Sequence, residues 1–280
     1  MIMKNLKPTT NKTALTVLLF SIVSSISYAQ KLLNVQQISV RAPATLKIDG
    51  KAGEWDGQLQ AYNKATDIFY TMANDNENLY LIVQAEKPRI IQKILTVGLT
   101  LMVNNSGKKN DNAAGNIAIT YPLVGRNYLL SILNNAGDKI AYKPRGMRDE
   151  VLTRTDSTVA IANKTYNANS TTIKVKGVND LADTLISVYN EQHIKVAAAF
   201  DNKGVFTYEL AVPLKFLGLS IADLQKFNYN IKLNSQRIEQ RGLGYTVTFD
   251  YSHGDPVSTD LDQDLDTTTD FWGEYTLAKK

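Results

Sequence analysis

The chain contains no cysteine, and this absence excludes a good deal of chemistry. Disulfides, thiolate metal centres, a cysteine nucleophile and a lipid-modified cysteine behind a leader all fall away. Histidine is nearly absent too: His193 and His253 stand far apart, without ligand-like spacing. No HExxH, GxSxG or P-loop occurs, so the common hydrolase and nucleotide-binding signatures are missing. The 27 acidic residues leave paired-carboxylate catalysis open, but spacing singles out no pair. Tryptophan appears only at Trp55 and Trp272.

Long apolar runs are equally scarce. The one at the amino terminus, Ala14 to Ile26, follows Lys4, Lys7 and Lys12 and precedes Ser27-Tyr28-Ala29. That order is the layout of a secretory signal peptide over 1–29, with cleavage before Gln30. The run is shorter than the roughly 20 residues that span a bilayer, so no membrane span is expected after cleavage. A periplasmic or secreted product is expected, held together without disulfides by one large core.

The leader also distorts the charge. The chain carries 31 basic and 27 acidic residues for a net +4, and removing the leader's three lysines leaves +1. A near-neutral mature surface lacks the clustered basic footprint of a nucleic-acid partner.

What the sequence does contain is period-2 alternation. Leu79, Leu81, Val83 and Ala85 alternate with Tyr80, Ile82, Gln84 and Glu86, and Leu99, Leu101 and Val103 behave likewise. Asn74 to Asn78 reads as the turn of a hairpin, and Asn104 to Gly115 as a surface loop. Alternation returns in Ile194–Phe200, Phe206–Val212, Tyr229–Leu233 and Tyr245–Tyr251, with Asp201 to Gly204 as a second turn. Antiparallel strands joined by short turns predict an all-β fold, an antiparallel β-sandwich with short helical insertions. Residues 30–280 are expected to form a single domain, with an insertion at about 126–185. Within that insertion Asn127 to Leu133 reads as a short helix and Asn163 to Thr172 as loop.

Three stretches in order carry a likeness: IDGKAGEW at 48–55, NDNENLYLIVQAE at 74–86 and FTYELAVPLKFLGL at 206–219. With GLTLMVNNSGKKN, YPL at 121–123, YNEQHIKVAAAFD at 189–201 and TDFWGEYTLAK near the end, they resemble the family 9 carbohydrate-binding modules. These belong to the DOMON-like β-sandwich superfamily, and the lines look like those of secreted Bacteroidetes-type relatives. The likeness spans roughly 40–125 and 183–279. It implies a jelly-roll-like sandwich, no catalytic residues, a carbohydrate or glycan ligand and, in many members, structural calcium. Such modules clamp a sugar between two tryptophans. Neither Trp55 nor Trp272 matches a clamp position, so the clamp is missing here, and none of the 14 tyrosines can be assigned to replace it.

The residues remain to be weighed one by one. Trp55 is expected to be a sheet-packing aromatic. Trp272 is a candidate stacking residue in the last strand. The turn SQRIEQRGLGYT at 235–246 offers Arg237, Glu239 and Tyr245 as sugar-binding side chains, an exposed charged turn being the alternative. Asp260, Asp262 and Asp264 supply hard oxygen ligands suited to Ca2+, a solvated acidic loop being the alternative. The loop is no EF-hand, lacking the sixth-position glycine and twelfth-position glutamate. A haem site would pair Met72 or Met102 with a histidine. The expectation is an exported, non-catalytic module that binds carbohydrate by aromatic stacking and polar contacts. The alternative is an envelope structural or assembly protein, with a protein partner, that keeps the fold without the sugar site.

Overall fold

Side chains that alternate in and out can bury only one face, so each predicted strand needs a second layer against it. In the computed structural model, which describes residues 32–55, 59–124, 126–136, 155–178, 181, 184–222, 226–235 and 265–279, two antiparallel sheets supply those layers. The first has five strands in the order β1 (Ala61–Asn63), β2 (Ile68–Asn74), β3 (Asn78–Ala85), β9 (Phe206–Pro213) and β8 (Lys195–Phe200). The second has six, in the order β11 (Thr269–Tyr275), β10 (Phe227–Leu233), β4 (Leu99–Asn104), β5 (Ile117–Tyr121), β6 (Thr172–Lys176) and β7 (Leu185–Ser187). The protein is an all-β antiparallel sandwich.

Tyr70, Met72, Leu79, Leu81, Val83, Phe206, Tyr208 and Leu210 of the first sheet share one buried cluster with Leu99, Leu101, Ile119, Tyr229 and Ile231 of the second. Apart from Tyr70, Met72 and Ile119, these are positions that the alternation marked as inward. Helix α1 (Pro88–Val97) connects the sheets, entered through a proline in its first turn and buried along Ile90, Ile91, Ile94 and Leu95.

One local expectation fails. Residues 163–172, read as loop, are mostly the end of a helix, α3 (Asp156–Asn169), which follows α2 (Arg126–Ala136). Thr155 and Thr158 close a capping box at the start of α3, and Val159, Ala162 and Tyr166 form its buried stripe. Three buried side chains suffice because the helix leans on an existing core. Asn163 of α3 also caps the edge of β8. Its side-chain amide accepts from the Phe200 N–H at 2.8 Å and donates to the Phe200 carbonyl at 2.9 Å, the two bonds that a neighbouring strand would make.

Of the earlier expectations, the leader and the strand at Tyr245–Tyr251 lie outside the described residues. Among those described, no helix is long and apolar enough to cross a membrane.

Candidate functional site

Strand β9 is buried on both faces. Its inward residues fill the core, while Thr207, Glu209, Ala211 and Pro213 face the other way, and Glu209 lies beneath Asp49, Gly50 and Trp55. An acidic side chain fully removed from solvent needs donors, and Glu209 has three. Its Oε2 accepts the backbone N–H of Asp49 at 3.0 Å and of Gly50 at 2.9 Å, and its Oε1 accepts the indole N–H of Trp55 at 2.9 Å. Burial pushes the Glu209 carboxyl above the ordinary range, the three donors pull it down without winning, and Asp49 adds to the rise.

This carboxylate pins IDGKAGEW onto the sheet. Gly50 has φ +79°, and a Cβ there would sit 2.6 Å from the Ala198 carbonyl carbon, so no side chain fits. Trp55 packs with Leu59, Ala73 and Ile82 at 6% exposure, the structural role expected for it.

At the next rung Ala211 is also buried, at 3% exposure. There Ala211 stands opposite Tyr80 on β3 and opposite Lys195 on β8, so the outward row reads Lys195–Ala211–Tyr80. With strands about 4.8 Å apart, the backbones that carry the phenol and the ammonium group lie about 10 Å apart, with the small Ala211 side chain between them. A cleft of about 910 Å³ opens over this row, walled by Leu46 and Ile48 on one side and by Pro213, Leu214, Leu219 and Ile221 elsewhere.

Tyr80 is held still. Its hydroxyl donates to Asp75 Oδ2 at 2.7 Å and accepts from Asn78 Nδ2 at 3.3 Å. Burial raises the Tyr80 phenol far above its ordinary range, and the Asp75 carboxylate raises it further. Burial would raise Asp75 as well, but hydrogen bonds from Tyr80 and from the N–H groups of Glu77 and Asn78 outweigh it and hold Asp75 below the ordinary range. His193 reaches the cleft from a turn with φ +59°, uncommon for a side chain other than glycine. Asn190 braces that turn, accepting from the Ile194 N–H at 3.1 Å and donating to its carbonyl at 2.8 Å.

All three stretches that carry the family likeness meet here. IDGKAGEW lies on the sheet, NDNENLYLIVQAE supplies Asn78 and Tyr80, and FTYELAVPLKFLGL supplies Ala211, Pro213 and Leu214. An immobilised ring beside a shallow apolar floor can receive the flat face of another ring, and the surrounding amide, ammonium and carboxylate groups can hydrogen-bond its edge.

No protein-family model matches the chain, and no curated protein matches it in sequence.

Trp272 lies elsewhere. It is half-buried on edge strand β11 of the six-stranded sheet, beside a smaller cavity of about 320 Å³ shared with Gln36, Ser39, Lys109, Lys226 and Glu274. Glu274 accepts from both lysines, at 2.8 and 3.0 Å, and they hold its carboxyl down at about 2. Arg237, Glu239 and Tyr245, proposed with Trp272, and the calcium candidates Asp260, Asp262 and Asp264 lie outside the described residues. Among the described residues, no group of three or more His, Asp or Glu side chains is placed to hold a metal ion. Met72 points into the core while His193 stands exposed at the cleft, so these two are not brought together.

The sequence reading missed Tyr80 as a site residue. It did place Tyr80 on the face opposite the core, and an aromatic at an outward position of a strand was the available signal.

Proposed function

We propose that the protein is an exported, non-catalytic binding module whose ligand is a carbohydrate or glycan, taken up in the cleft over Ala211. The observation that carries this reading is the row Lys195–Ala211–Tyr80, in which a fixed aromatic side chain lines a cleft of about 910 Å³ with the small Ala211 at its base. Stacking of a sugar's apolar face on Tyr80 supplies affinity, and Asn78, His193 and the cleft's charged groups supply contacts to hydroxyls. The signal-peptide layout of the first 29 residues and the likeness to family 9 modules support export and the ligand class.

The test is calorimetric titration of the chain from Gln30 onward with an oligosaccharide panel, alongside Tyr80→Ala and Ala211→Leu. Binding to at least one sugar, lost on removing the ring and on filling the floor, is the expected result. Tyr80→Phe, which keeps the ring, retains binding. A flat response to every sugar overturns the reading and favours an assembly protein. Release of reducing ends from any of the sugars overturns the non-catalytic part.

A further inference from the structure

We propose that the cleft selects an anionic glycan, a sugar chain bearing carboxylate or sulfate groups. The proposal rests on the carbohydrate reading and deepens it by naming the ligand's charge. The reason is a contrast between the two cavities. At the smaller one, Lys109 and Lys226 are both paired with Glu274. At the cleft, Lys47, Lys195 and Lys215 stand exposed, and none makes an ion pair with a carboxylate among the described residues. Against these three ammonium groups the described lining holds one carboxylate, Glu77.

The placement of the three matters as much as their number. Lys195 closes one end of the row whose other end is Tyr80. Lys47 rides on the segment that walls the cleft, between Leu46 and Ile48. Lys215 follows β9 in the short turn Leu214–Leu217, its ammonium 4.9 Å from the Phe216 ring. The charges therefore come from three separate segments that line the same cleft. A ring stacked on Tyr80 would carry its acidic substituents toward these ammonium groups. Beside an apolar surface, charge pairs are screened less than on open surface, so complementarity here selects among sugars of similar shape.

Salt separates this mode of binding from stacking alone. Attraction to lysines weakens as ionic strength rises, whereas stacking of a neutral sugar does not. Removing any one ammonium group should lower affinity about 2- to 5-fold, the scale of an exposed charge pair.

The experiment titrates the chain from Gln30 onward with four probes: oligogalacturonate, a κ-carrageenan oligosaccharide that bears sulfate and no carboxylate, a neutral cello-oligosaccharide and poly-glutamate. Each titration is run at low and at high sodium chloride. Lys195→Gln, and the triple variant Lys47→Gln, Lys195→Gln, Lys215→Gln, are compared once unchanged melting temperatures show that they fold. The expected result is tighter binding of one or both acidic oligosaccharides than of the neutral one, weakened by salt and lost in the triple variant. Preference for oligogalacturonate identifies carboxylate as the recognised group, and preference for the κ-carrageenan oligosaccharide identifies sulfate.

Equal binding of the neutral sugar, insensitive to salt and to the variants, overturns the proposal and leaves the carbohydrate reading standing. Equal binding of poly-glutamate overturns it as a general attraction to polyanions. No binding of any sugar overturns both.

Discussion

The hydroxyls of Tyr70 on β2 and Tyr229 on β10 lie 2.9 Å apart, joining the two sheets by a hydrogen bond through the middle of the core. Tyr70 also accepts the Gln36 N–H at 2.9 Å, so its hydroxyl is doubly used. The Tyr208 hydroxyl, by contrast, is buried with no hydrogen-bond partner among the described residues. Tyr70→Phe is therefore expected to cost about 1–3 kcal/mol, because it strands two buried groups. Tyr208→Phe should be neutral or slightly stabilising. Urea unfolding midpoints at constant m-value measure both. Equal losses for the two variants would show that hydroxyl pairing does not govern this core.

A second expectation concerns the same Tyr229. Gly273 of β11 stands directly across from it, and a Cβ on that glycine would lie 2.2 Å from Tyr229 Cζ. Gly273→Ala should cost about 1–3 kcal/mol by overpacking. Tyr229→Leu introduced into the Gly273→Ala background should cost less than it does in the parent chain, because the clash has gone. Additive losses would sink the explanation.

Much of the fold was legible because alternation is a local property. Leu79, Leu81 and Val83, or Phe206, Tyr208 and Leu210, declare their buried face within a few residues. The cleft was not legible in that way. It exists because Ala211, paired with Lys195 across the β8–β9 hairpin, also falls opposite Tyr80, and register between strands more than a hundred residues apart is written nowhere locally. Helix α3 escaped for a different reason: Val159, Ala162 and Tyr166 are too few to stand out from their polar neighbours. Trp272 is a candidate because it follows an acidic loop and because family 9 modules stack sugars on tryptophan, and neither reason says which sheet the residue joins.

Acidity should act on the two carboxylates of the cleft region in opposite directions. Glu209 titrates above its ordinary 4.5 when folded, so its contribution to stability is full below that value and is lost as pH rises through the folded pKa. Asp75 titrates below its ordinary 3.8, so its contribution is present above that value and is lost as pH falls through the folded pKa. The stability difference between the parent chain and Glu209→Gln should therefore shrink as pH rises from about 4 to about 7. The difference for Asp75→Asn should grow as pH rises from about 2 to about 4. Urea midpoints across pH measure both slopes, and a slope of the other sign in either case refutes the assignment.

The Asn163 amide makes a local, residue-specific prediction. Asn163→Ala removes both bonds to Phe200 at the edge of β8, at a cost of about 1–2 kcal/mol. Hydrogen exchange at the Phe200 amide should accelerate, while that of Leu210 in the middle of β9 stays slow. Unchanged protection at Phe200 would mean that the edge is covered by other means.

The segment fastened by Glu209 has a thermodynamic consequence. Residues 46–55 are held to the sheet by donors converging on one carboxylate and by a small outer cluster around Trp55, with no covalent tie. Leu46 and Ile48 on the same segment form one wall of the cleft. Peeling that segment away would destroy the cleft while leaving the inner core closed. Whatever occupies the cleft must then tighten the segment, and whatever loosens the segment must weaken the occupant by the same free energy. Glu209, buried beneath the segment, would thus adjust affinity for a molecule that it never meets.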